Sequence, residues 1–442
     1  MRFYKIFVLI TLLILNSCDT DDGMTDPVLN LLITDLVPSN NEVKIDWSLE
    51  KSNNVIIQDL LIIREVIDQD GRFTSNTIAN IPTNINTYID RNIPYQSSIS
   101  YKVKAIYFID KDLKEGEFYD ILDVESQIET YNREIVAFEA VPFQVVKDPV
   151  EDHIFHWIDR MQTAKLKKYD ALQNKIIDSI DLSENIYHNV VFKIKDNTIY
   201  ISDDNGNFKL IDKNSYDLNN QFSVAINEKL KSFSIDGNRI YYHDDNVLKF
   251  YDLIKNESVN QGWAYLHSSY METIKPNTIL FGGFSVTEIT TESCIDINNC
   301  IPNNLYIYNY ESGEKFYFDP FIFSWNNEKT KFISSYYGNV MNINDLSNDF
   351  NLKEITGKNY FQASFDENNN IYATVQGEKL IHVFNSSYEL IDSIETTLFP
   401  LFPIISQSGL QCISSYDPVL YYGYRYGFEF NFGNKKCAIE IL

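Results

Sequence analysis

The chain has 442 residues, a formal net charge of −25 and an aromatic content of 14%. A chain of this length exceeds a single ordinary hydrophobic core, so two or more domains are expected. The negative charge repels phosphate backbones and no basic stripe opposes it, which excludes nucleic acid from the expected partners. Helical periodicity is scarce beyond the N-terminal leader, and the aromatic residues suit packed strands, so the sequence predicts an all-β chain.

Residues 1–17 are predicted to form a signal peptide. A short cationic start precedes an apolar run, residues 6–15, which is too short to span a bilayer as a mature helix. Residues 15–18, Leu-Asn-Ser-Cys, resemble a bacterial lipobox. The resemblance implies that Cys18 becomes the first mature residue and carries acyl chains, palmitate among them. The alternative is an ordinary secretory leader in which this cysteine is incidental.

Residues 18–28 are rich in aspartate and predict an acidic, flexible tether. They resemble the acid-rich tethers that, in one branch of Gram-negative bacteria, send lipoproteins to the outer face of the outer membrane. The resemblance implies a protein on the cell surface that touches the membrane through its lipid only. Under other sorting rules an aspartate directly after the cysteine, here Asp19, means retention in the inner membrane, so the membrane face is left open.

Residues 29–133 show short strand patterns separated by polar turns. Residues 43–47 alternate apolar and polar side chains and end in Trp47, and residues 100–106 contain a Tyr-x-Val-x-Ala pattern that begins at Tyr101. Together these strands resemble a fibronectin type III domain, a seven-stranded sandwich. The resemblance implies that Trp47 and Tyr101 are buried and that the domain spaces or presents a neighbour. Residues 110–120 depart from the pattern as a long, charged hairpin.

Residues 134–442 contain a repeated unit of strand, polar turn and strand. Residues 199–212 and 240–253 match each other at an offset of 41 residues (240 − 199 = 41). Similar strand starts lie at residues 154, 279, 332, 371 and 410, which makes seven copies. The period resembles that of a β-propeller, most simply one with seven blades, and six or eight blades remain open. A strand within residues 134–141 is expected to complete the last blade.

Two patterns resemble metal sites but have simpler interpretations. Residues 203–205 and 244–246 are both Asp-Asp-Asn, at matching positions of consecutive repeats, which favours turn chemistry over calcium binding. His153 and His156 would diverge on a strand, because residues three apart point to opposite faces. No nucleophile or phosphate-binding motif is present in the sequence. No catalytic residue, metal or cofactor is therefore expected.

Two segments are predicted to contact a partner. An insertion, residues 287–302, lengthens the fourth repeat and contains Cys294 and Cys300, which would close a small knob displaying Asp296 and Asn298. The alternative is a surface loop without a role. The second segment alternates aromatic residues, which in an extended chain would share one face as a platform for a glycan. They are Tyr422, Tyr424, Tyr426, Phe428, Phe430 and Phe432. The alternative is packing between blades with a turn near Gly427.

Cys412 and Cys437 are the remaining cysteines, and a disulfide between them would require neighbouring strands. The predicted function is non-catalytic binding or scaffolding at the cell surface, by a monomer or a member of a hetero-complex. A protein or glycan would be bound at one propeller face. The alternative is an enzyme that uses the propeller funnel on glycans, such as a hydrolase, lyase or lactonase. That alternative requires polar groups that converge at one end of the axis.

Overall fold

The protein is described by a computed structural model that covers residues 28–442, except for 40–41, 112–116, 160–163, 183–190, 228, 231, 245–246, 264–267, 284–285, 291–302, 306–322, 336, 345–346, 425–426, 431 and 434. The described residues form strands almost throughout, as the sequence predicts. Within this part of the chain, no helix is both long and apolar enough to cross a membrane. The chain divides into two compact units, residues 1–133 and residues 134–442.

The described part of the first unit consists of eight strands in two antiparallel sheets. One sheet has the order β1-β2-β5, and the other has the order β4-β3-β6-β7, with β8 also paired to β6. The strands are β1 (Leu29–Pro38), β2 (Val43–Lys51), β3 (Val55–Ile67), β4 (Phe73–Asn80), β5 (Thr87–Asp90), β6 (Ser98–Ile109), β7 (Leu122–Glu125) and β8 (Glu129–Asn132).

The inward-facing residues of both sheets of the first unit form a single core. Trp47 on β2 is 2% exposed and Tyr101 on β6 is fully buried, which confirms the burial predicted for both. The Tyr101 hydroxyl donates a hydrogen bond to Asp90 Oδ2 at 2.9 Å, and Arg64 pairs with the same oxygen at 2.8 Å. Burial, followed by the charge of Asp90, raises the pKa of Tyr101 far above its ordinary value, so its hydroxyl remains a donor.

The chain enters and leaves the first unit at opposite ends of its sheets. At one end Val28 exchanges hydrogen bonds with Ser52, next to the start of β3. At the other end the Arg133 amide donates to the carbonyl of Ser97, next to the start of β6. Because β3 and β6 run antiparallel over most of their length, these two points are separated by the length of the sheet. The 13 residues of β3 span about 40 Å.

The second unit contains seven four-stranded antiparallel sheets within its described residues. Six of them use four consecutive strands each, from β10 to β33, and the seventh has the order β34-β35-β38-β9. The first strand of the unit, β9 (Ala137–Phe138), belongs to the seventh sheet. Sheets one to three consist of β10 (Pro142–Lys147), β11 (Ile154–Asp159), β12 (Lys165–Asp170), β13 (Lys175–Asp181), β14 (Val191–Lys195), β15 (Thr198–Ser202), β16 (Asn207–Asp212), β17 (Leu218–Ser223), β18 (Phe233–Asp236), β19 (Arg239–Asp244), β20 (Val247–Asp252) and β21 (Glu257–Trp263).

The remaining strands of the second unit follow in chain order. They are β22 (Ser268–Lys275), β23 (Thr278–Gly283), β24 (Val286–Thr290), β25 (Asn303–Leu305), β26 (Phe323–Trp325), β27 (Lys331–Ser334), β28 (Asn339–Asn342), β29 (Asn348–Asn351), β30 (Tyr360–Phe365), β31 (Ile371–Val375), β32 (Leu380–Phe384), β33 (Leu390–Glu395), β34 (Phe399–Ser406), β35 (Gly409–Ser415), β36 (Tyr421–Tyr424), β37 (Gly427–Phe430) and β38 (Cys437–Ile441). One short helix, α1 (Leu352–Thr356), follows β29 and is capped by the side chain of Asn351.

Each sheet of the second unit packs against the next through a shared apolar core. The core between the first two sheets, for example, contains Leu166 and Phe192, and similar cores join each later pair. The last core joins the seventh sheet to the first, because it contains Trp157 and Ile439 together. The series of sheets is therefore closed, which leaves no large apolar sheet face in water.

The seven repeat starts found in the sequence all lie in the second strand of a sheet, for example Ile199 in β15 and Ile371 in β31. These strands are buried on both faces, which explains why they read as apolar runs. Fourth strands such as β17 and β33 are largely exposed, so they carry little apolar signal. The predicted closing strand is confirmed, since β9 pairs with β38 and completes the seventh sheet.

Candidate functional site

The loops of the second unit leave its sheets at two opposite ends. In an antiparallel sheet of four strands, the first and third turns lie at one end, and the second turn lies at the other. Each sheet starts where the previous one ends, so corresponding turns gather at the same end of the whole series. We call the end with the first and third turns the lower end, and the end with the second turns and the connections between sheets the upper end.

A charged cluster joins three sheets inside the second unit. Lys193 on β14, in the second sheet, pairs with Glu272 on β22, in the fourth sheet, and also donates to the carbonyl of Met271 at 2.8 Å. Lys329, in the lower-end turn between β26 and β27, reaches the second oxygen of Glu272 at 3.0 Å. In the third sheet, β18 contacts both β14 and β22, so the strands that carry Lys193 and Glu272 flank the same first strand. The cluster therefore lies where the first strands of the sheets face one another.

The charge of Glu272 is compensated by the two lysines of the cluster. Burial alone would raise the pKa of Glu272, but the charges of Lys193 and Lys329 outweigh burial and hold the pKa to about 2. The Tyr270 hydroxyl donates to Glu272 Oε2 at 2.9 Å, and the Lys193 ammonium lies 4.3 Å from the centre of the Tyr270 ring. Glu272 is thus an ionised hydrogen-bond acceptor at neutral pH, and it does not have the raised pKa that a general acid requires.

A second buried network connects the first two sheets at the lower end. His156 on β11 contacts the Tyr216 hydroxyl through Nδ1 at 2.6 Å and Asp148 Oδ2 through Nε2 at 3.3 Å. Lys213 pairs with the other oxygen of Asp148 at 2.9 Å. The arrangement has the order of a hydroxyl–imidazole–carboxylate relay. However, His156 is fully buried and Tyr216 is 5% exposed, so a substrate cannot reach the hydroxyl.

The protonation of this network follows from its partners. Burial lowers the pKa of His156, so the ring is neutral, with Nε2 donating to Asp148 and Nδ1 accepting from Tyr216. Burial raises the pKa of Asp148, but hydrogen bonds led by the one from His156 outweigh it and hold the pKa well below the ordinary range. His153 does not join this group: its ring contacts Asp152 at 3.8 Å and is partly exposed.

The aspartates that suggested calcium have other partners. Asp203 accepts hydrogen bonds from the amides of Asn205 and Asn207, both at 2.9 Å, which confirms the predicted turn chemistry. Asp204 pairs with Lys229 at 2.9 Å, and Asp244 pairs with a lysine of the next strand. Residues 245–246 lie outside the described residues. In the described ranges, no group of three His, Cys, Asp or Glu residues is arranged to hold a metal ion.

The predicted insertion in the fourth sheet begins later than expected. Residues 287–290 belong to β24, and the chain returns as β25 at Asn303, so the insertion is a third turn at the lower end. Its candidate residues all lie outside the described residues. They are Cys294, Asp296, Asn298 and Cys300.

The aromatic segment does not form one extended face, which corrects that prediction. The chain turns within it, and β36 and β37 pair as a hairpin with Tyr422 opposite Glu429 and Tyr424 opposite Gly427. Because the chain reverses direction in the middle of the segment, the alternating aromatic residues are divided between two antiparallel strands and do not share one extended strand. Tyr426 lies outside the described residues. The alternative interpretation, a turn near Gly427, describes the backbone correctly.

The pairing of Cys412 with Cys437 is also wrong. The two residues lie on neighbouring strands, but Cys412 is opposite Glu440 and Cys437 is opposite Ser415. A shift of three positions places the two side chains on opposite faces of the sheet, which prevents a disulfide. Both thiols are free and buried. Burial raises the pKa of Cys412 to about 12, so the thiol is not reactive at neutral pH.

The upper end carries one long excursion, residues 416–436, between the second and third strands of the seventh sheet. The corresponding turns of the other six sheets range from the two residues 245–246 to the five residues 160–164. The excursion is held on the sixth sheet: Val419 is 1% exposed, and Phe432 lies 6.2 Å from Phe361, centre to centre. Gly377 lies directly beneath the excursion, where a Cβ atom would come 2.7 Å from Leu420 Cδ2, and its φ of +71° favours glycine. The hairpin of β36 and β37 is therefore anchored to the upper end by the residues that flank it.

The structure separates the two segments that the sequence predicted to meet a partner. The insertion that contains Asp296 and Asn298 leaves from the lower end, and the segment with Tyr422 and Tyr424 belongs to the upper end. The Lys193–Glu272 pair leaves no signal in the sequence, because the two residues are 79 positions apart and each lies in an ordinary strand pattern.

Comparison with known proteins gives similarities of fold only. No family model and no curated protein sequence matches the chain. Among solved structures, the chain is similar to the WD40 repeats of RRP9, with 11% identity, 70% of this chain and 96% of that chain covered, and a TM-score of 0.47. It is also similar to U3-55K, with 12% identity, coverage of 70% and 98%, and a TM-score of 0.49. The sheet order and the closed series of cores make the second unit a β-propeller domain.

Proposed function

We propose that the protein is a lipoprotein of the outer-membrane surface that binds a partner, without catalysis, through its propeller. The lipid is attached at Cys18, residues 18–28 form the tether, and the partner is a protein or a glycan outside the cell. Each of the seven four-stranded sheets is one blade of a seven-bladed ring. The observation that carries the binding function is the anchored excursion at residues 416–436, which adds a hairpin at the upper end and is far longer than the second turns of the other six sheets.

The first unit suits the role of a spacer. We assign it to the fibronectin type III class, with β1, β2 and β5 in one sheet and β3, β4, β6 and β7 in the other. The chain enters near Val28 and leaves near Arg133, about 40 Å away along β3. A domain with this geometry places its two chain connections far apart, as a spacer between an anchor and a binding domain requires.

The buried networks favour binding over catalysis. The carboxylates of Glu272 and Asp148 are both fully committed to lysine and hydrogen-bond partners. Such pairs stabilise the interior of the ring and leave no proton-transfer group poised for a substrate among these residues. Recognition would then depend on the surfaces at the two ends, where loops vary without disturbing the sheets.

The binding function is tested by shortening the hairpin. Tyr421–Phe430 would be replaced by a short Gly/Ser link that keeps the anchors Val419 and Phe432, and the matched control would replace residues 291–302 at the lower end, which leaves β24 and β25 intact. Tagged, lipid-anchored chains would then be recovered from intact outer membrane with their bound partners. We expect the upper-end variant to lose partner capture while its melting temperature stays close to that of the unaltered chain. Unchanged capture by both variants would reject recognition through the propeller ends.

The anchor is tested separately. Cys18→Ala should abolish labelling by a fatty-acid analogue and release the protein from the membrane fraction, because the apolar leader cannot anchor a mature chain by itself. Cys412→Ala, at a buried free thiol, is the control and should keep its label. Labelling that persists in Cys18→Ala would reject the lipobox.

A further inference from the structure

The first unit exposes apolar side chains at both ends of the sheet that contains β3 and β6: Ile67 and Phe73 at one end, and a second group at the other end. Phe118 is 87% exposed and Ile121 is 60% exposed, in the segment that joins β6 to β7. Leu122, the first residue of β7, is 37% exposed. Single exposed apolar residues are common on protein surfaces, whereas Phe118, Ile121 and Leu122 together form a small apolar patch.

The segment is held in place by its neighbour, Tyr119. The ring of Tyr119 lies 4.6 Å from that of Phe108 on β6, and its hydroxyl donates to Asp110 Oδ1 at 3.2 Å. Asp110 is itself fixed to the start of β3, since its amide donates a hydrogen bond to the carbonyl of Asn54 at 2.7 Å. Tyr119, which is 37% exposed, thus packs on the surface at the end of β6, and its neighbour Phe118 is left in solvent.

The same end of the sheet receives the chain from the N-terminal tether. Val28, which is 58% exposed, exchanges hydrogen bonds with Ser52, and the amide of Val55 donates to the carbonyl of Ser52 at 3.1 Å. Val55 is opposite Ile109, the last residue of β6. Phe118 and Ile121 therefore lie at the end at which the chain arrives from Cys18. The residues between Cys18 and Val28 span about 35 Å when fully extended, so this end is within reach of any bilayer that holds the lipid.

We propose that Phe118 and Ile121 insert into the lipid interface beside the anchor and give the protein a second, non-covalent contact with its own membrane. This inference rests on the proposed lipid at Cys18. The tether holds the segment close to the bilayer, so its effective concentration there is high and contact by two side chains is sufficient. Glu117, Asp120 and Asp123 flank the apolar pair, so the contact favours zwitterionic over anionic headgroups.

The chain supplies a matched control at the opposite end of the same sheet. Phe73, at the start of β4, is 62% exposed and is opposite Ile67, the last residue of β3. It is another solvent-exposed phenylalanine of the same unit, and about 40 Å of strand separates it from the segment that contains Phe118. A contact with the membrane at the tether end should include Phe118 and exclude Phe73.

The test places a photo-crosslinking analogue of phenylalanine, benzoylphenylalanine, at position 118 or at position 73 of the full lipid-anchored chain. Acylation is first established with a labelled fatty acid, and the protein is then incorporated into phosphatidylcholine vesicles and irradiated. We expect lipid adducts from position 118, none above background from position 73, and loss of the adducts at 118 when Ile121→Asp is introduced. Replacing part of the phosphatidylcholine with phosphatidylglycerol should lower the yield at 118.

The outcomes separate the two proposals. A chain without acyl label would overturn the anchor and this contact together. An acylated chain that yields no lipid adducts at 118, or equal yields at 118 and 73, would overturn the contact alone. Irradiation of intact cells adds a third outcome: protein adducts in place of lipid adducts at 118 would show that the segment binds a protein partner, and the membrane contact would be rejected.

Discussion

At the scale of single residues, the largely buried carboxylate of Glu272 inside the propeller is held by three specific partners. Glu272 accepts from Lys193, Lys329 and Tyr270, and each of these comes from a different strand or turn. Removing the charge of Glu272 would leave the largely buried ammonium of Lys193 without its counter-charge, while the half-exposed Lys329 would remain solvated. Because an unpaired buried charge costs far more than a well-made pair contributes, Glu272 should be more sensitive to substitution than the exposed acidic residues.

We predict that Glu272→Gln lowers the free energy of unfolding at pH 7 by about 3–5 kcal/mol. The folded-state pKa of about 2 is below the ordinary value of 4.5, so the contribution of Glu272 is complete above pH 4.5 and is lost as the pH falls toward 2. The difference between the unaltered chain and the variant should therefore shrink between pH 5 and pH 2. Denaturant unfolding across that range measures it, with Glu257→Gln, at an exposed carboxylate, as the control. A difference that does not depend on pH would contradict the assigned ionisation.

At the scale of elements, the ring is closed by two residues from the start of the second unit. The strand β9, Ala137–Phe138, pairs with β38, and Phe138 packs at 5.3 Å from Trp157 of the first sheet, centre to centre. The beginning and the end of the propeller chain are thereby joined in one sheet. Since the apolar cores join each sheet to its neighbours in the series, a break at this point would separate the seventh sheet from the first.

Phe138→Ala should lower the free energy of unfolding of the propeller by about 3–5 kcal/mol, because it removes a ring that is 5% exposed from the closing core. Glu139→Ala changes the next residue, whose side chain is 64% exposed, and should be nearly neutral. Thermal unfolding followed by circular dichroism compares the two. Equal effects of both substitutions would mean that β9 does not close the ring.

At the scale of the whole molecule, the two compact units have separate cores. The core of the first unit gathers around Trp47 and Tyr101, and the propeller cores draw only on residues after Arg133. Damage to one core should therefore leave the other folded. The spacer assigned to the first unit and the binding surface assigned to the second can then be altered independently.

We predict that Trp47→Ala unfolds the first unit and spares the second. Truncating this 2%-exposed tryptophan should cost about 3–5 kcal/mol, which is a large share of the stability of a small domain. Limited proteolysis should then release a resistant fragment that begins near residue 134. If proteolysis degrades both units together, the two do not fold independently.

The sequence alone determined the local features of this protein. The burial of Trp47 and Tyr101, the strand starts such as Ile199, and the closing strand near Phe138 all follow from short patterns of apolar and polar residues, because strand periodicity is a local property. The turn at Asp203 was predictable for the same reason, since its side chain bonds to its own backbone.

Only the tertiary structure decided the features that depend on distant parts of the chain. Lys193 meets Glu272 across 79 positions, and neither residue carries a signal of the other in its own strand. Cys412 and Cys437 are neighbours by strand order, but their register places them on opposite faces. The hairpin of β36 and β37 replaces an extended aromatic face, because the chain reverses within the segment. Register, reversal and packing across the ring depend on the closed arrangement of all the sheets, which no local pattern encodes.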